Sequence, residues 1–155
     1  MSAAICTLNP IALQACSQFL TAFPQSVITS ARRTLPEQCL AMTLNIIRNP
    51  YWVRLTYVPS VVSVAVQHWV DGLTQGAGPA RIAAGLLAVL EGFPPADLRA
   101  LSWHLSGDAF DVQSTVDIGQ VEYLQALVAQ RIRDGGHGRM LSKEGGLVRW
   151  HIQID

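Results

Sequence analysis

Ser102-Trp-His-Leu-Ser-Gly-Asp-Ala-Phe-Asp111 sets His104 and Asp111 seven positions apart around the small residues Gly107 and Ala109, with Ser102 two residues before the histidine. An imidazole and a carboxylate are ligands that a hydrolytic Zn²⁺ takes when it keeps one position open for water, and a third ligand usually arrives from a distant element. Leu147-Val-Arg-Trp-His-Ile-Gln-Ile154 offers His151 as that third ligand. The same segment alternates as a strand does, with Val148, Trp150, Ile152 and Ile154 on one face and Arg149, His151 and Gln153 on the other. In Ala109-Phe-Asp-Val-Gln113 the alternation puts Asp111 with Gln113, opposite Phe110 and Val112. Two neighbouring strands with apolar inner faces would then present Asp111 and His151 on one surface.

Outward from these strands the chain reads as mostly helical. Leu8 to Phe23 carries Ile11, Leu13, Phe19 and Leu20 in a helical pattern that Pro24 closes, and Val27 to Ser30 reads as a short strand. Thr34-Leu-Pro-Glu37 has the spacing of a capping box and opens a helix from Leu35 to about Arg48, ended by Asn49-Pro50. Ser60 is a good N-cap for a helix to about Leu73, and Gly76-Ala-Gly-Pro79 is a loop. The Ala- and Leu-rich stretch from Ala80 to Glu91 reads as a buried helix with Gly92 just past its end. Phe93-Pro-Pro95 leads to a short helical turn and the histidine motif, and Ile118 to Arg133 repeats apolar residues at helical spacing until Gly135-Gly136.

Composition narrows the function classes. The 155 residues fit one domain, 1–155, with no internal repeat or low-complexity segment. Eleven basic residues balance eleven acidic ones without a run of Lys or Arg, which argues against nucleic-acid binding. The apolar runs are broken far short of the roughly 20 residues a bilayer requires, so no membrane span is expected. Met-Ser-Ala-Ala-Ile-Cys lacks the basic start and apolar core of a secretory signal, so the chain is expected to be made in the cytoplasm. Cys6, Cys16 and Cys39 are odd in number and lack CxxC spacing, and read as small buried hydrophobes.

The pattern SxHxxGxAxD, completed near the end by Trp150-His151, resembles the zinc D-Ala-D-Ala carboxypeptidase family, which includes the D-Ala-D-Ala dipeptidases and the peptidase domains of many phage endolysins. Val27-Ile-Thr-Ser-Ala-Arg-Arg-Thr34, followed by Pro36-Glu-Gln38, is similar to a second motif of that family, with Arg33 at its arginine position. The matches span Val27 to His151, nearly the whole chain. The resemblance implies an α+β fold of the D-Ala-D-Ala peptidase or hedgehog-like type. A small, mainly antiparallel sheet would carry Zn²⁺ on one face, held by His104, Asp111 and His151, with helices over the other.

It also implies a substrate, the peptide stem of peptidoglycan, and roles for individual residues. Arg33 stands at a helix start, an unfavourable end for a cation unless it meets an anion; the resemblance makes that anion a substrate carboxylate, matched by the guanidinium fork. Ser102 would hydrogen-bond to substrate, and Gln38 either packs its helix or orients Arg33. His68 and His137 match nothing in the pattern and read as structural or surface residues. The family's catalytic glutamate falls three residues before the last histidine, where this chain has Val148, and the alternative histidine of wider relatives falls at Arg149. Neither can serve as a general base. Glu144, the nearest acid upstream across Gly145-Gly146, is either that base or a solvated hairpin acid, and Asp108 is a weaker candidate.

The expected function is therefore a zinc peptidase acting on the cell wall, phage-released or virion-associated if phage-encoded. The alternative is a non-catalytic zinc-binding relative that binds the virion or the cell wall. Which peptidoglycan bond is cut and the oligomeric state stay open.

Overall fold

The computed structural model describes residues 5–74, 76–144 and 147–155, without the side chains of 143, 144, 147 and 148. After a 3-10 turn at Ile5–Thr7 come α1 (Pro10–Ala22), β1 (Ile28–Ser30), α2 (Leu35–Arg48), α3 (Trp52–Thr56), α4 (Val61–Asp71) and α5 (Pro79–Leu90). They are followed by α6 (Pro95–Leu101), α7 (Trp103–Ser106), β2 (Ala109–Val112), α8 (Ile118–Arg133), β3 (Gly138–Glu144) and β4 (Leu147–Ile154). The fold is α+β. Among the described residues no helix is long and apolar enough to cross a membrane.

The chain divides into two compact units, Met1–Arg32 with Ser106–Asp155, and Arg33–Leu105. The first contains one four-stranded sheet in the order β1-β2-β4-β3, with every neighbouring pair antiparallel. Strand alternation turns Phe110 and Val112 of β2 and Trp150, Ile152 and Ile154 of β4 into an apolar core with Ala12, Ala15, Cys16 and Phe19 of α1 and Leu124 and Val128 of α8. Those α1 residues recur at helical spacing, so one stripe of the helix is buried. Pro10 occupies the first turn of α1, where its missing N–H costs no intrahelical bond.

The second unit is helical. Its core gathers Cys39, Met42 and Ile46 of α2, Val62, Val66 and Val70 of α4, and Ile82, Leu86 and Leu90 of α5. The α2 capping box forms as the sequence implies: Thr34 accepts from the Glu37 N–H and the Glu37 carboxylate accepts from the Thr34 N–H. A second box, Ser60 with Ser63, opens α4. Gly85 lets α5 approach α4, since a Cβ there would sit 1.9 Å from the Trp69 ring.

Observed bounds differ from the sequence reading mainly at the ends. The helix expected over Ala80 to Glu91 runs Pro79–Leu90, and the strand expected from Val27 begins at Ile28. Four elements were absent from that reading: the 3-10 turn at Ile5–Thr7, α3, strand β3 as a full partner of β4, and the four-residue helix that carries His104.

Candidate metal centre

Asp111 and His151 meet because β2 and β4 pair in the register Asp111↔His151, flanked by Phe110↔Ile152 and Val112↔Trp150. Directly opposed residues on an antiparallel pair share a face. With the flanking pairs packed into the core, Asp111 and His151 are turned to the other side of the sheet. Both are buried, and His151 Nδ1 lies 2.7 Å from Asp111 Oδ1. Arg149, two residues before His151, shares its face and reaches diagonally across, so that Nη1 donates to Asp111 Oδ2 at 3.3 Å.

The segment leading into β2 is shaped by a tight turn. Gly107 has φ +85, a left-handed conformation in which a side chain is strained, and a Cβ there would press on Asn9 N and Thr7 O at 3.2 Å. Its carbonyl accepts from the Asn9 N–H at 2.9 Å. Asp108 is buried and engaged in the same turn, accepting from Asn9 Nδ2 at 2.6 Å and from the Ser106 hydroxyl at 2.6 Å. Those two donors tie Asp108 into the turn.

His104, in α7, has no exposed surface. Its side chain, the Asp111 carboxylate and the His151 imidazole each offer a ligand atom, and these atoms lie within 4.8 Å of one another. Two imidazoles and one carboxylate converging in a buried place can hold a metal ion. An ionised carboxylate out of water needs compensating charge, which Arg149 supplies to Asp111 and a cation held by the group would add to. No other His, Cys, Asp or Glu of the described residues belongs to this group. His68 is exposed, and exposed His137 pairs with Asp155 at 3.2 Å.

The Arg33 N–H donates to the His104 carbonyl at 3.0 Å, which ties the start of α2 to the histidine's backbone. Arg33 Nη1 donates to Gln38 Oε1 at 3.2 Å, and the Ser102 hydroxyl donates to the same oxygen at 3.4 Å. Gln38 is buried and also donates through Nε2 to the Tyr57 hydroxyl at 3.2 Å. Arg33, Gln38 and Ser102 thus form one hydrogen-bonded group, with Tyr57 as a fourth member that no motif position points to. Arg32 is exposed. Glu144 ends β3, its backbone in register with Leu147, while its side chain lies outside the described residues, as do Gly145 and Gly146.

The thiols take no part in this centre. Burial pushes the Cys16 thiol up to about 12 and is the main cause that takes Cys39 to about 11, as for small buried hydrophobes. Cys6 is exposed, contrary to the reading of all three as buried.

No protein-family model, curated protein or solved structure matches the chain.

Proposed function

We propose that the protein is a zinc-dependent peptidase that hydrolyses peptide bonds of the peptidoglycan stem. The observation that carries this reading is the buried group of His104, Asp111 and His151, two imidazoles and a carboxylate, which is the donor set of a zinc site with a position left for water or substrate. Zinc bound there would polarise the scissile carbonyl and bring the pKa of a bound water towards about 7.

The chain's own residues would do the rest. Arg33 presents a guanidinium whose orientation is set by Gln38, and would hold a substrate carboxylate through charge-assisted hydrogen bonds. Ser102, on the same glutamine, would add a hydroxyl donor. Glu144 would take the proton from the attacking water, as the acid nearest upstream of His151 in the hairpin formed by β3 and β4.

A second reading is favoured by one observation. Where related sites place a base, this chain has Val148 and Arg149, and Arg149 is paired with Asp111. On that reading zinc is retained for recognition of the cell wall or virion, without turnover.

Digestion of purified peptidoglycan, with mass analysis of the products with and without a chelator, separates the two. Chelator-sensitive release of stem peptides supports the peptidase, and Glu144→Gln should lower it by about 10²-fold while zinc is retained. Intact peptidoglycan beside zinc-loaded protein overturns the peptidase and favours the binding protein.

A further inference from the structure

Helix α2 is apolar on two faces. Cys39, Met42 and Ile46 recur at helical spacing and enter the core of the helical unit. Leu40, Leu44 and Ile47 recur at the same spacing, turned roughly 130° further round an axis with about 3.6 residues per turn, and are 58%, 60% and 47% exposed. A surface helix needs one apolar stripe to join its core, and a second stripe left in water marks an interaction surface. Helix α3 packs against both α2 and α4, and Tyr51 before α3, Leu55 on it and Val61 at the start of α4 are exposed as well. Each partner of a standard interface buries about 800 Å². These six side chains together expose an area of that order.

The charges of α2 decide which occupant fits. Glu37 in the first turn and Arg48 in the last are the helix's only charged residues, and helical spacing sets both on the same flank of the stripe. A parallel copy would bring Glu37 against Glu37 and Arg48 against Arg48. An antiparallel copy places Leu44 near the two-fold axis, Leu40 against the partner's Ile47 and Glu37 against the partner's Arg48, and it also opposes the two helix dipoles. We propose that the outer stripe of α2 docks a second copy of this chain, as an antiparallel, two-fold symmetric helix pair with opposite charges meeting at both ends. The capping box engages Glu37 Oε2 and leaves the carboxylate's charge for the partner's Arg48. The pairing is independent of the metal reading of His104, Asp111 and His151.

The test is sedimentation equilibrium of the full chain at micromolar concentrations, as wild type, L44K, R48E and V116K. Wild-type protein should sediment with twice the mass of the chain. L44K brings two ammonium groups to the two-fold axis in place of two leucines and should raise the dimer's dissociation constant by about 100-fold or more. R48E sets like charges against Glu37 at both ends and should raise it by about 10-fold, a loss that fades in high salt. V116K changes an exposed valine of the other unit and should leave the dimer intact. R48E is the deciding variant if circular dichroism shows that L44K does not fold. A wild-type chain that stays monomeric overturns the proposal, and flotation of that monomer with phosphatidylcholine vesicles would give the stripe to a lipid surface. A dimer that survives both L44K and R48E, or that V116K dissociates equally, is built on another face and overturns it too. A dimer lost in L44K but unmoved by R48E overturns the antiparallel pairing.

Discussion

Gln67 in the helical unit and Asp111 in the sheet unit are both buried polar residues, and they use their hydrogen bonds differently. Gln67 Oε1 accepts from the Arg54 N–H at 3.0 Å, and its Nε2 donates to the Pro50 carbonyl at 3.0 Å and to Asp71 Oδ1 at 2.7 Å. Buried Thr43 returns its hydroxyl to the Cys39 carbonyl, and Ser63 closes a helix cap and donates to the Val58 carbonyl. These groups are neutral, and most of their partners are backbone atoms that a turn or a helix end would leave unsatisfied. Asp111 instead faces the ionisable side chains of His151 and Arg149. A neutral amide on the backbone is explained by the fold it holds. A buried carboxylate held by an imidazole and a guanidinium is costly for a fold to maintain, and this one belongs to a group that could hold a metal ion.

The strongest way to break this contrast is to exchange the fates of the two residues. Asp111→Ala or His104→Ala should abolish stoichiometric zinc in metal analysis. It should also remove the stabilisation that bound zinc would confer on wild type, about 4 kcal/mol when free zinc exceeds its dissociation constant a thousandfold. Gln67→Ala should leave zinc binding intact and lower the stability measured by urea unfolding by about 2 kcal/mol, the cost of orphaned backbone partners. Retention of one zinc per chain by Asp111→Ala would put that residue in the same structural class as Gln67.

Much of the arrangement was legible in the sequence because the strands that carry Asp111 and His151 are apolar on one face. Phe110 and Val112, and Trp150, Ile152 and Ile154, announce the inner faces of β2 and β4, and parity then places Asp111 and His151 together on the outer ones. The bounds of α8 were equally plain, because apolar residues recur over four turns and glycines follow. What was illegible depends on tertiary contacts. Helix α3 has five residues, too few to show a period, and is held by the burial of Trp52 and Val53 and by Gln67, thirteen positions beyond Arg54. Strand β3 lies at the sheet edge, and its pairing with β4 fixes it more than its own pattern does. Arg149 could be placed on the face of His151 by parity. Its bond to a carboxylate 38 residues away required the register of two strands. Likewise the group of Arg33, Gln38 and Ser102 could be assembled from motif positions, whereas Tyr57 enters it only through the packing of α2 and the end of α3.

A smaller effect sharpens the comparison inside the helical unit, where Arg33 is the side chain given a role towards substrate. If its guanidinium holds a carboxylate, Arg33→Ala should reduce kcat/KM on stem peptides by about 2 kcal/mol. Arg32→Ala, on an exposed neighbour, should change it far less. The loss should also shrink for a substrate whose C-terminal carboxylate is replaced by an amide. Equal losses from the two arginines would make Arg33 a residue of the same kind as Gln67, needed for the fold alone.

The smallest effect concerns a charge at the surface of the helical unit. The Thr34 backbone N–H donates to Glu37 Oε2 at 2.7 Å and the Thr34 hydroxyl donates to the same oxygen at 2.8 Å. These bonds, led by the backbone one and aided by the positive charge of Arg33, hold the Glu37 carboxyl below its ordinary value of 4.5. A carboxyl whose folded pKa is depressed stabilises the fold above its unfolded pKa and loses that contribution as pH falls through the folded value. Glu37→Gln keeps an acceptor in the capping box but has no charge to titrate. Wild-type protein should therefore melt above the variant at neutral pH, by a gap that holds down to the neighbourhood of 4.5 and closes below it. Thermal unfolding followed across that range checks the sign, and zinc content should be the same in both proteins throughout. A gap that persists undiminished in acid would mean that the box depends on the shape of the side chain and owes nothing to its charge.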